Sequence, residues 1–223
     1  MRQVRESKKK ATRQRISDVA TALFFARGFD GVTVDEIAAA AQVSKMTIFN
    51  YFARKEELIL DREDDLRLLP FQRALRERPP EQGPVDALRA LLVEMNKQKH
   101  PICHISSMMA DWWQVVEASP ALMARMRELG DEAAAGLAAE LRGAAHFGAT
   151  RLMAGTIVLT VRTAREEALR QFRDTASDKK ANATFMQLMN LGLAAVEQMA
   201  DISLRPSISA RQTPDLSGDA DTS

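Results

Sequence analysis

Few residues of this chain are typed and spaced for chemistry. His100, Cys103 and His104 lie together in HPICH, three possible metal ligands within five residues. Zinc needs four ligands, and only carboxylates such as Asp111, or the lone His146, could complete such a set, with Pro101 interrupting it. HPICH therefore reads as a loop with an ordinary buried cysteine, and no metal or cofactor is expected. No nucleophile elbow, phosphate-cradling glycine loop, HExxH or paired-cysteine motif occurs, and three histidines leave little material for acid–base work. An enzyme is not expected. What remains is spaced for recognition. In TVDEIAAAAQVSKMTIFNYFARKEEL, residues 33–58, Ile48 and Phe52 repeat at helical spacing and turn inward, leaving Lys45, Met46, Thr47 and Asn50 facing out.

Two short helices must position those residues. Thr33 followed by Glu36 has the spacing of a capping box, and Ile37 and Ala41 then fall one turn apart on one face. Ser44 caps a second helix. Between them Ala41, Gln42 and Val43 form a turn of helix-turn-helix length, with Val43 placed to plug the angle. The second helix is then the one that can enter a major groove.

In order and without a gap, Thr33, Ile37, Ala38, Ala41, Val43, Ser44, Thr47, Ile48, Tyr51, Phe52, Lys55, Glu56 and Leu58 resemble the DNA-binding domain of the TetR family of transcriptional repressors. Met46 stands where that family often has Gly, and Phe49 where it usually has Tyr, so the operator sequence is left open. Beyond Leu58 only helical architecture carries over. The resemblance implies that Lys45, Met46, Thr47, Phe49 and Asn50 meet base edges: Lys45 as a donor to guanine, Thr47 as a short hydroxyl, Met46 and Phe49 against thymine methyls. It also implies phosphate contacts at Thr33, Tyr51 and Lys55, where a helix N-terminus, a phenol and an ammonium all suit an anion. Thr33 could equally serve only as a cap, Phe49 as core, and Tyr51 could be buried. The function implied is a ligand-responsive repressor that binds a palindromic DNA operator as a homodimer and is released by a small apolar or amphipathic effector. The alternative is a helix-turn-helix protein that binds DNA with no effector.

Composition agrees with a two-part protein. From Met1 to Lys55 eleven basic residues stand against five acidic ones, a net of +6, and since the chain totals +1 the remainder carries −5. A basic module that meets a polyanion is thereby joined to a mildly acidic body. A length of 223 residues suffices for one sizeable all-helical unit or a small domain fused to a larger one. No apolar run is long enough to span a bilayer, MRQVRESKKK is too polar for a signal peptide, and Cys103 is the single cysteine, so a cytoplasmic protein with no membrane partner is expected.

The remaining elements follow from apolar periodicity and breakers. Thr12 to Arg27 reads as the first helix, ended by Gly28. A fourth helix is expected from near Arg54 to Pro70, stiff enough to act as a lever between reader and body. A short piece follows at Phe71 to Arg76, and RPPEQGP at 78–84 breaks the chain. Five more helices are expected at Val85 to Lys99, Ile105 to Glu117, Pro120 to Ala145, Ala149 to Arg173 and Lys180 to Ala200, making an all-α fold of about nine helices. The last two are apolar almost all round, which suits a core on one side and a second subunit on the other, so helices 149–173 and 180–200 are expected to form a two-fold four-helix interface. Adaptable apolar surface for an effector is expected from Met95, Met108, Met123, Met126 and Met153, with Cys103, His104, Trp112 and Trp113 nearby and at most one tryptophan facing a given side. Arg162 and Arg165 could hold an anionic ligand, face solvent, or bridge to Glu166 and Glu167 of a partner. The domains expected are a basic arm at 1–10, the helix-turn-helix domain at 11–56, an effector and dimerisation body at 57–200, and a disordered tail at 201–223.

Overall fold

The structure, a computed structural model, describes residues 2–61, 63–141 and 147–204. Among these, ten α-helices and one 3₁₀ turn are present and no strand, so the fold is all-α. Three helices build the N-terminal domain: α1 (Arg2–Arg27), α2 (Val34–Ala40) and α3 (Lys45–Tyr51). Ile16, Ala20 and Phe24 recur on one face of α1 and are fully buried against Ile37 of α2 and Ile48 of α3. Each large apolar side chain shut in this way contributes roughly 1.5–3 kcal/mol. Gly28 ends α1 at φ +75°, a left-handed conformation that glycine adopts without a Cβ penalty.

The start signals act as their residue types dictate. Thr33 Oγ1 accepts from the Glu36 amide, while the Glu36 carboxylate accepts from the Thr33 amide at 2.7 Å. Those hydrogen bonds, with Arg27 2.8 Å away, hold the Glu36 carboxyl down to about 2. Ser44 Oγ accepts from the Thr47 amide at 3.0 Å and opens α3. Gln42, at φ +53°, makes the turn between α2 and α3, with Val43 packed beneath it.

Two expectations about the N-terminal third are corrected. The first helix starts at Arg2 rather than Thr12, so residues 2–10 are helical and continuous with α1. Its lysines and arginines are good helix formers, and nothing in that stretch breaks the pattern. The single lever helix from Arg54 to Pro70 is absent. Lys55–Leu58 is a 3₁₀ turn, α4 (Glu63–Leu66) is one turn long, and α5 (Leu69–Glu77) begins after Leu68, whose φ of +54° breaks the helical path. Pro70 sits in the first turn of α5, where its missing N–H has no helical partner to lose, so it starts a helix instead of kinking one. Leu58, Ile59 and Leu60 are all buried, and a run of three inward side chains cannot lie on one stripe of an amphipathic helix.

The body consists of α6 (Pro84–Lys97), α7 (Ser107–Glu117), α8 (Pro120–Glu140), α9 (Phe147–Thr175) and α10 (Asp178–Leu204). Ser106 and Ser119 cap α7 and α8, and Pro84 and Pro120 occupy first-turn positions. Asn182 of α10 pins the 100–106 loop by exchanging hydrogen bonds with the Ile105 backbone, 2.7 Å from its N–H and 3.2 Å from its carbonyl. Helices α9 and α10 lie close because Gly192 has no side chain: a Cβ there would fall 2.1 Å from Thr160 Oγ1. The expected disorder of 201–223 lies outside the described residues except at its first four positions, which continue α10.

Candidate functional site

Helix α3 carries an outward face. Met46 is 69 % exposed, Phe49 45 % exposed, and Lys45 and Asn50 are also exposed, while Ile48 and Phe52 anchor the opposite side. Phe49 is therefore not core. Lys45 Nζ sits 2.9 Å from Asp35 Oδ2 in an exposed ion pair, which is weak and easily exchanged for another anion. Thr47 is half-buried, its hydroxyl sharing a hydrogen bond of 2.8 Å with Ser44 Oγ. An exposed ammonium, an amide and two apolar side chains on one short helix can present donors and apolar contacts to a grooved polyanion.

The three residues expected at phosphates are arranged around this helix. Thr33 uses its hydroxyl in the capping box. Tyr51 is half-buried, and Arg13 of α1 donates to its backbone carbonyl. Lys55 lies on the domain's own surface: Nζ donates to the Phe29 carbonyl at 2.7 Å and stands 4.2 Å from the centre of the Phe29 ring. Partial burial lowers its pKa, opposed by Asp30, Glu56 and Glu36.

A second site was not legible as a unit. A cavity of about 960 Å³ opens between α1 and the body, walled by α1, the 59–68 segment, α7, α8 and α9. Volumes of this order hold a drug-sized molecule. Of the residues expected at an effector, Met108, Trp112 and Trp113 line it, as do Met123 and Met126. Both tryptophans take part, contrary to the expectation of at most one. They meet edge to face, ring centres 4.8 Å apart at 88°, and the cavity wraps far enough around α7 to touch both. Met95, Cys103, His104 and Met153 do not line it. Met95, Cys103 and Met153 are buried in the packed core, and His104 is half-buried in the loop before α7. Burial pushes the Cys103 thiol up to about 11. Among the described residues no group of three or more His, Cys, Asp or Glu could hold a metal ion.

Missed from the sequence was the contribution of α1 to this cavity through Gln14, Ser17, Asp18, Thr21, Ala22 and Phe25. Their spacing of three and four residues is a helical stripe, but a stripe so mixed in polarity carries no signal of burial. Ser17 also ties α1 to the 58–61 segment, its hydroxyl 2.9 Å from Asp61 and 3.2 Å from the Leu58 carbonyl. Three more links join the domain to the body: Ser119 to Asp30 at 3.0 Å, Arg54 to Glu128 at 2.9 Å, and Trp112 Nε1 donating to the Ile59 carbonyl at 3.3 Å. Arg125, which is buried, and Arg54 together hold the Glu128 carboxyl below its ordinary range.

Helices α9 and α10 also expose Leu152, Leu159, Leu191 and Ile202, of which Leu159 borders the cavity. Leu152 and Leu159 are two turns apart on α9, and Leu191 and Ile202 three turns apart on α10, so each pair lies on one stripe. No helix among the described residues is long and apolar enough to cross a membrane.

Residues 16–61 match the family described as bacterial regulatory proteins, tetR family. The transcriptional regulator TcmR of Streptomyces glaucescens is 35 % identical over 85 residues, 38 % of this chain and 37 % of that protein. The chain thus spans little more than a third of the length of that relative. Among solved structures, a SmeT–triclosan complex covers 83 % of this chain and 91 % of its own at 20 % identity, with a TM-score of 0.55. SmeT is described as the repressor of the Stenotrophomonas maltophilia multidrug efflux pump SmeDEF. NalD, the secondary repressor of the MexAB-OprM multidrug efflux pump in Pseudomonas aeruginosa, covers 81 % of this chain and 96 % of its own at 18 % identity, with a TM-score of 0.54. At such identities the structural likeness is one of fold. All of these relatives are regulators of transcription rather than enzymes.

Proposed function

We propose that the chain, whose residues 16–61 match the tetR family of bacterial regulatory proteins, is a dimeric repressor released from a palindromic operator by a small apolar or amphipathic molecule. The observation that carries this reading is the position of the cavity. It lies between α1 and the body, so a molecule filling it touches the DNA-binding domain directly. Helix α1 packs on α2 and shares one buried core with Ile37 and Ile48 through Ile16, Ala20 and Phe24, and Arg13 holds the end of α3 through the Tyr51 carbonyl and the Phe52 ring. A push on α1 therefore moves α3 with it. In place of one long lever, the coupling in this proposal runs through a helix shared by cavity and reader. A fold relative with triclosan bound supports a small-molecule occupant.

In the same proposal Lys45, Met46, Phe49 and Asn50 read bases, Thr47 steadies the start of α3, and Thr33, Tyr51 and Lys55 approach phosphates. An ammonium has three donors, so Lys55 can keep the Phe29 carbonyl and still offer two. The exposed Leu152 of α9 and Leu191 and Ile202 of α10 are covered by the same residues of a second copy, as an isologous two-fold interface requires. An operator selected from random sequence should then be a near-palindrome, its half-site centres spaced by multiples of about 10 base pairs. The deciding experiment is fluorescence anisotropy of that operator with the full chain while a small-molecule library is added. Release by a compound that also quenches Trp112 and Trp113 is the expected result. An operator complex that no cavity-binding compound disturbs would favour effector-independent binding.

A further inference from the structure

Resting on the effector reading, we infer that the cavity selects a singly charged amphipathic anion, a carboxylate carried on an apolar body, through Arg165. Arg165 of α9 lines the cavity with its guanidinium 3.9 Å from the centre of the Trp113 ring. It makes no hydrogen bond or ion pair with any described residue, and its Nε is buried without an acceptor. A half-buried guanidinium whose Nε is shut away without an acceptor is costly, and a partner that arrives from outside relieves that cost. Burial draws its pKa down to about 10, still high enough to keep it charged at neutral pH.

The charged neighbours sharpen the choice. The carboxylates that act on Arg165 are Glu166 of α9 and Glu117 of α7, and each already has a cation, Arg162 at 3.8 Å and Arg173 at 2.6 Å. Asp61, across the cavity, accepts from Ser17, and Asp65 stands 3.7 Å from His100 Nε2. Asp131 stands one turn after Arg127 on α8, and Asp18 is on α1. Apolar lining is supplied by Trp113, against which Arg165 stacks, and by Met123, Met126 and Val158 elsewhere in the cavity. One guanidinium balances one negative charge, so a dianionic phosphate would bring an uncompensated charge into an apolar space, whereas a carboxylate matches both the charge and the planar donor fork.

The test compares three ligands of equal chain length, decanoate, decan-1-ol and decyltrimethylammonium, each below its aggregation limit, by quenching of Trp112 and Trp113. They are the only two tryptophans, and both line the site. Decanoate should bind about tenfold or more tighter than the alcohol, the gain expected of one charge-assisted hydrogen-bonded pair. Arg165→Met, shown to be folded by its circular dichroism and melting, should lose that preference while binding the alcohol as before, and Arg165→Lys should retain part of it. Equal binding of acid and alcohol by the unaltered protein overturns the inference and leaves the cavity reading standing. Tighter binding of the ammonium overturns it in favour of the carboxylates across the cavity. Quenching by none of the three counts against both.

Discussion

Replacing Gly192 by alanine tests the closeness of α9 and α10, the platform on which the proposed dimer is built. In an open helix the change from glycine to alanine stabilises by roughly 0.5–1 kcal/mol, because glycine loses more backbone freedom on folding. Here the new methyl would meet Thr160 Oγ1 at 2.1 Å, Cγ2 at 2.3 Å and Cβ at 2.7 Å, all inside van der Waals contact. Thr160 has little room to yield, since its χ1 is restricted and Oγ1 donates to the Thr156 carbonyl at 2.7 Å. Overpacking of this kind costs about 1–3 kcal/mol, so the net effect should lie between roughly neutral and about 2 kcal/mol destabilising. Urea unfolding followed by circular dichroism, at one fixed protomer concentration, measures it as a lower midpoint with unchanged slope. In a Thr160→Ala background part of the loss should return, leaving a coupling of at least about 0.5 kcal/mol. A gain of about 1 kcal/mol from Gly192→Ala alone would refute the packing described here.

Leu191→Glu, placed on a residue 67 % exposed in the single chain, should leave the fold intact but yield a monomer by light scattering and abolish tight operator binding; a dimer of unchanged affinity would remove α10 from the interface. Lys55→Ala should weaken binding similarly on all sequences and reduce the salt slope by about one, whereas Lys45→Ala should relax preference at one base pair by about 1–3 kcal/mol, both read from anisotropy across salt and operator variants. Equal loss on every site from both variants would undo that division. The Glu36 carboxyl, held at about 2 in the fold against its ordinary 4.5, contributes stability that is fully present above 4.5 and lost as pH falls toward 2. Thermal melts of Glu36→Ala should therefore fall closer to those of the unaltered protein with each step of acidification through that window, and a gap that stayed constant would show that the capping carboxylate is not the group titrating.

How much could be read in advance depended on the range of each interaction. Thr33, Glu36 and Ser44 cap helices through bonds to residues three positions away, so their types and spacing suffice to place α2 and α3. The apolar repeats of α9 and α10 likewise announce two long helices. The broken path through 55–69 was illegible because Leu58, Ile59, Leu66 and Leu69 resemble a helical face, and only packing decides that Leu60 turns inward beside Leu58 and Ile59. Trp112 and Trp113 are pocket candidates by type, but adjacent residues point apart along a helix, and that both line one cavity is decided by how α7 packs against α1, α8 and α9.

From its residues alone the chain determined an all-helical fold, a basic helix-turn-helix reader and the face that reader turns outward, because caps and periodicity act within a turn or two of helix. Tertiary structure alone decided that α1 serves both reader and cavity, that Met95 and Met153 belong to the core, and that Arg165 Nε is left without an acceptor. A cavity is the space that five separate elements fail to fill, and no single segment carries a record of what its distant neighbours leave empty.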